Sequence, residues 1–145
     1  MKKEIELDVL LRGRKFKKMI EQIYRNLRVQ YDLKQVEVEV LLYLGLMPDI
    51  SSTELARELA LQKGHVSVAM FALCEKGYLR SEQSRKDRRM VHFHITEKGE
   101  KVRREIEQIK HKVNEQILKD FTEEEVATLE SLTRKLLNNV EQFSC

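Results

Sequence analysis

The chain is poor in the residues that build disulfide scaffolds, zinc modules and loop-dominated folds. Its 145 residues include two cysteines, Cys74 and Cys145, too few and too far apart for a disulfide framework or a zinc module, and both are read as reduced thiols. One proline and five glycines, with 35% charged against 41% hydrophobic residues, exclude low complexity and fit helices with solvated faces. No apolar run approaches the ~20 residues that cross a bilayer. The start Met1-Lys2-Lys3-Glu4-Ile5-Glu6 lacks the apolar core of a secretion signal, so a cytoplasmic protein without a membrane partner is expected. Enzyme signatures are missing as well: there is no Gly-rich phosphate loop, nucleophile elbow or metalloprotease helix motif. The Glu123-Glu124-Glu125 run stands at a helix start, where it complements the helix dipole. His92 and His94 face one way on a predicted strand, His65 and His111 lie elsewhere, and no Cys/His/Glu cluster has ligand spacing, so neither a metal nor a cofactor is expected.

What the chain does have is charge segregated along its length. A net charge of +3 conceals +5 over residues 1–31, +4 over residues 62–89 and −4 over residues 120–145. For the first stretch a solvated helix face accounts for the charge. In the middle stretch, Arg85, Lys86, Arg88 and Arg89 crowd into one predicted turn, the footprint of a polyanion-binding surface.

Hydrophobic periodicity divides the chain. Phe16, Ile20, Ile23 and Leu27 recur at helical spacing and predict one amphipathic helix of about five turns. Val36 to Leu44 alternates like a strand in its first half, but its unbroken apolar second half favours a buried helix, followed by a turn at Gly45, Pro48 and Asp49. Ser51 and Glu54 have the spacing of a capping box and open a short helix, Thr53 to Ala60, with Leu55, Ala56 and Leu59 inward. A second helix begins at Gln62 and Lys63, with Val66, Ala69, Met70 and Leu73 on its inner face, and closes at Gly77. Its outer face then carries Lys63, Gly64, His65, Ser67, Val68 and Phe71. From Leu79 the period becomes two. Val91, Phe93 and Ile95 share one face, His92 and His94 the other, and residues 84–89 form the tip of a hairpin. Val102, Ile106, Ile109, Val113 and Ile117 predict a long helix. A capping box at Thr122 and Glu125 opens a last one, striped by Val126, Leu129, Leu132, Leu136, Val140 and Phe143. Two short helices, a basic hairpin and a long helix, in this order, are the signature of a winged helix-turn-helix, a mainly α fold with a small β wing that binds DNA. One such domain cannot bury all the long apolar stripes, which argues for a symmetric homodimer.

The motifs are more specific than the order. Ser52-Thr53-Glu54-Leu55-Ala56, Val66-Ser67, Leu73-Cys74-Glu75-Lys76-Gly77-Tyr78-Leu79, Asp87-Arg88-Arg89 and Ile95-Thr96-Glu97-Lys98-Gly99 together resemble the MarR family of dimeric transcriptional regulators, over almost the whole chain. The resemblance implies a single unit over 1–145. Its winged helix-turn-helix spans 34–96, and dimerisation helices cover 5–31 and 97–145. It also implies double-stranded DNA as partner, with residues 62–76 in the major groove and wing 84–90 in the minor groove of an inverted-repeat promoter site. Repression is the expected output because a bound dimer commonly blocks a promoter, with activation as the alternative. Candidate contacts are Ser51, Thr53, Lys63, His65, Ser67, Val68, Arg85, Lys86, Arg88 and Arg89, with Asp87 holding Arg89 in place. Val68 departs from the basic or polar residue that many members carry after the helix Ser, so the operator sequence does not transfer.

Family members commonly bind an effector between the dimerisation helices and the winged domain, which here would have Phe16, Ile20, Tyr24, Leu41, Tyr43 and Leu44 as walls; residues of this kind are core far more often. Gly64-His65-Val66-Ser67 and Asp87 to Thr96 are also similar to the branch that represses fatty-acid synthesis and answers to acylated carrier protein. The effector expected from these resemblances is a small molecule or an acyl carrier protein. Cys74, near the carboxyl end of its helix, is read as a small, partly buried hydrophobe and not as a redox sensor. The rival reading is an effector-independent architectural nucleic-acid-binding or helical protein-interaction module with a mere hairpin for a wing.

Overall fold

The computed structural model describes residues 7–143, with side chains from residue 12. It contains two compact units, Met1–Lys110 and His111–Cys145. The single helix predicted around Phe16 to Leu27 is two, α1 (Leu7–Ile23) and α2 (Arg25–Tyr31). The break has an identifiable cause. The Glu21 carbonyl accepts from the Tyr24 amide at 3.2 Å and from the Arg28 guanidinium at 3.1 Å, while the Tyr24 ring turns into the core. Leu27 follows it inward, whereas Phe16 and Ile23 remain exposed.

α3 (Gln35–Leu46) is helical despite its strand-like start, with Val38, Val40, Leu41 and Leu44 fully or almost fully buried. Gly45, expected in the turn, lies inside this helix. The Arg103 side chain crosses directly over it, in space a Cβ would need. The turn begins one residue after the helix, with the Ile50 amide donating to the Met47 carbonyl at 3.1 Å. α4 (Ser52–Leu59) is capped by the Ser51 hydroxyl, which accepts from the Glu54 amide at 3.1 Å. Of the two bonds of the predicted capping box, this is the one formed among the described residues. α5 (Lys63–Glu75) buries the predicted face, Val66, Ala69, Met70 and Leu73, in one core with Leu41, Leu55 and Tyr78. Burying Val66, Met70, Leu73, Leu41 and Leu55 contributes about 1.5–3 kcal/mol each.

β1 (Leu79–Gln83) and β2 (Val91–Ile95) pair antiparallel, Leu79 opposite Ile95 and Gln83 opposite Val91. α6 (Glu97–Ile117) follows, and its first residues are stapled to the end of α5. The Thr96 hydroxyl donates to the Gly77 carbonyl at 2.6 Å and accepts from the Gly99 amide at 3.0 Å. Lys98 donates to the Lys76 carbonyl at 2.9 Å and lies over the Tyr78 ring. Gly77 has φ +82°, the left-handed backbone predicted for a helix-closing glycine. Gly99 permits the contact: a Cβ there would strike the Tyr78 carbonyl oxygen.

In the second unit, α7 (Glu123–Glu141) has both bonds of its predicted capping box, Glu125 amide to Thr122 hydroxyl at 3.1 Å and Thr122 amide to Glu125 carboxylate at 3.0 Å. Leu129, Leu132, Leu136, Leu137, Val140 and Phe143 are all exposed. Cys145 lies outside the described residues.

Candidate nucleic-acid interface

With one face of α5 in the core, the opposite face must point to solvent. Lys63, Gly64, His65, Ser67 and Val68 are all exposed there. Gln62, in an extended conformation, starts the helix without a side-chain cap, so the first amides of α5 are left facing outward with the positive end of its dipole. The start of α4 and the wing converge on this turn. A cleft of about 390 Å³ is lined by Ser51, Ser52 and Thr53, by Lys63 and Ser67 of α5, and by Arg89, Met90 and His92 of the wing. Five of the predicted site residues therefore meet in one concavity: Ser51, Thr53, Lys63, Ser67 and Arg89. His65 and Val68 lie on the outer surface of α5, outside that cleft. Arg85 and Lys86 line a neighbouring cleft of about 480 Å³ with Asp49, Glu82, His92 and His94. Ser52 and His92 were not among the predicted contacts. His92 was recognisable as an outward strand position, but only the approach of α4 to the wing puts the two at the site.

The wing tip is a set of local hydrogen bonds. The Ser84 hydroxyl accepts from the amides of Lys86 at 3.3 Å and Asp87 at 3.4 Å, and the Ser84 amide donates to the Met90 carbonyl at 2.9 Å. Asp87 accepts from the Arg89 amide through Oδ1 at 3.0 Å. Asp87 therefore orders the backbone that carries Arg89; among the described residues no ion pair links its carboxylate to the Arg89 guanidinium. Gln83 Nε2 donates to the Arg88 carbonyl at 2.6 Å, closing the loop from the strand side. Glu82 is engaged on the strands, 3.1 Å from His94 and 3.9 Å from Arg80. Arg85, Lys86, Arg88 and Arg89 are exposed and in no ion pair among the described residues, so the tip presents an uncompensated positive charge.

The predicted effector walls fare differently. Tyr24, Leu41 and Leu44 belong to the core, and burial pushes the Tyr24 hydroxyl pKa up; Ile20 and Tyr43 are partly buried against it. Cys74 is partly buried, and burial raises its thiol pKa, the environment of an unreactive cysteine. Beside the wing, Arg103 grips Glu100 through two hydrogen bonds of 2.9 and 2.6 Å, which hold the Glu100 carboxyl below its ordinary range.

Known proteins share both the sequence and this architecture. A family model described as a winged helix DNA-binding domain matches residues 33–99. The uncharacterized HTH-type transcriptional regulator YpoP of Bacillus subtilis is 33% identical over 134 residues, covering 90% of this chain and 91% of that protein. A MarR protein from Peptoclostridium difficile shares the fold with a TM-score of 0.83 at 22% identity, over 98% of this chain and 93% of the other. The S. aureus MepR–DNA complex does so with a TM-score of 0.77 at 18% identity, over 96% and 99%. With a regulator of this identity matched along nearly its whole length, and with the wing and junction motifs in place on the fold, the chain belongs to the MarR family of winged helix-turn-helix DNA-binding transcriptional regulators, and is not an enzyme.

Proposed function

We propose that the protein is a homodimeric transcriptional repressor acting in the cytoplasm on inverted-repeat promoter DNA, with residues 62–76 in the major groove and wing 84–90 in the adjacent minor groove. The observation that carries this reading is the shared cleft in which Ser51, Thr53, Lys63, Ser67 and Arg89 face one another from three separate elements. Lys63, His65 and Ser67 donate to base acceptors or phosphates near the free amides of α5, and Ser51 and Thr53 donate to the flanking backbone. Arg89 enters the minor groove from a backbone held by Asp87, while Arg85, Lys86 and Arg88 neutralise phosphates.

The exposed apolar residues of α7, and Phe16, Met19 and Ile23 of α1, support a dimer, because a second copy would remove them from water. A dyad sets the two half-sites about one helical turn apart, ~34 Å. A dimer spanning that distance represses by occupying the promoter. A small molecule or an acyl group on its carrier protein regulates it by binding one dimer conformation better than the other.

The test is an anisotropy titration of the protein on its own upstream intergenic DNA and on shuffled DNA of equal composition, over a salt series. A preference of about 10³ or more with a steep salt slope is expected. Equal, weak binding to both duplexes replaces this reading with the architectural one. Repeating the titration with long-chain acyl carrier protein and with a phenolic acid separates the two effector classes.

A further inference from the structure

The outward stripe of α5 has an unexpected chemistry. At about 3.6 residues per turn, Gly64, Val68, Phe71 and Glu75, spaced four, three and four, lie opposite the buried Val66, Ala69, Met70 and Leu73. The centre of the surface that enters the groove therefore carries no side-chain hydrogen-bond donor. Val68 and Phe71 are 65% and 66% exposed, large apolar groups left in water on a helix that had a core face available. Gly64 sits one turn before them with nothing within 4 Å of where its Cβ would stand. No internal packing requires a glycine there. What it leaves is a bare backbone strip at the end of α5 that leads into the groove. Polar Lys63 and Ser67 flank the stripe on the side of the wing cleft. Glu75, in the last turn, stays clear of a groove entered by the amino-terminal turns.

We propose that α5 reads thymine through its C5-methyl group: Gly64 lets the helix backbone approach the base edges, and Val68 and Phe71 cover the methyls in each half-site. The methyl is the one apolar feature of the major-groove edge, and it distinguishes thymine without a hydrogen bond. This rests on the DNA-binding mode proposed above and names the chemistry of its base recognition.

The test uses the segment of the protein's own upstream DNA that it protects from nuclease, amplified with either thymidine or deoxyuridine triphosphate. Deoxyuridine removes every methyl and keeps every Watson–Crick pair. Wild type is expected to lose about fourfold in affinity per buried methyl, about fifteenfold for one in each half-site. Because the contact is apolar, that factor should stay constant across the salt series. The Val68→Ala/Phe71→Ala variant, altered only at exposed positions, should bind the thymidine duplex more weakly and lose at most about twofold on the deoxyuridine duplex. An equal deoxyuridine loss in wild type and variant would assign the effect to altered DNA shape and overturn the proposal, as would no loss in wild type, which would leave Val68 and Phe71 resting on sugar and phosphate. If wild type does not prefer its site over shuffled DNA at all, the DNA-binding mode itself has failed, a result distinct from either.

Discussion

Lys76 caps the carboxyl end of α5 and reaches back across 39 residues to Glu37, Nζ to Oε1 at 2.7 Å, while also donating to the Asp32 carbonyl at 2.5 Å. The two side chains are unequally buried, Glu37 at 2% exposure and Lys76 at 28%. Removing either partner should therefore have unequal effects. Lys76→Met leaves a carboxylate in the core with, among the described residues, only the Lys34 amide, 3.3 Å away, to answer it. Stranding a buried charge costs about 3–5 kcal/mol, and the lower end applies because water reaches the Lys76 end of the pair. The expected loss of about 3 kcal/mol lowers Tm by about 6–12 °C in a chain of this size. Glu37→Gln keeps the shape and one acceptor, and the ammonium retains Asp32 and solvent, so its cost should be about 1 kcal/mol. Glu37→Met/Lys76→Met, with no charge left to strand, should return to within about 1 kcal/mol of wild type. Urea unfolding at one fixed protein concentration measures all three, since a dimer's stability depends on concentration. Equal costs for the two single variants, or a double variant no better than Lys76→Met, would refute the account of a stranded carboxylate.

Other sites give sharper single readings. Arg89→Ala should weaken specific DNA binding about tenfold or more and reduce the salt slope by about 1 without changing Tm, and unchanged affinity in a folded variant would remove the wing from the mechanism. Gly99→Ala should destabilise by more than about 2 kcal/mol, since the added methyl meets the Tyr78 carbonyl and no flexible side chain stands there to yield. A wild-type melting curve for this variant would show that the α5–α6 junction is looser than drawn. If the proposed dimer is built on α7, Leu132→Glu/Leu136→Glu should raise its dissociation constant by about a hundredfold or more while leaving the helical circular dichroism of the chain largely intact. Sedimentation as an unchanged dimer would move the interface elsewhere.

Much of the architecture was legible before any coordinates, because it rests on local chemistry. The inner face of α5 follows from the spacing of Val66, Ala69, Met70 and Leu73, the hairpin from the period-two residues around a basic turn, and the α7 start from Thr122 and Glu125 three positions apart. Gly77 announced its left-handed backbone because few other residues adopt it without strain. Such signals act over one or two turns of chain, which is the range a sequence pattern can express.

Tertiary packing decided the rest. Tyr24 belongs to the apolar stripe by spacing, yet the pull of the core on its ring and the capture of the Glu21 carbonyl by Arg28 split the helix there. Gly45 looked like punctuation and is instead a helical position cleared for the Arg103 side chain. Asp87 was expected to hold Arg89 in place, and the fold shows it accepting from the Arg89 amide. Glu37 and Lys76 stand 39 residues apart in the sequence, and only the fold makes them partners. Composition and periodicity state which residues want water and which do not; which element covers which, and therefore which charges, carbonyls and hydroxyls meet, depends on contacts between segments tens of residues apart.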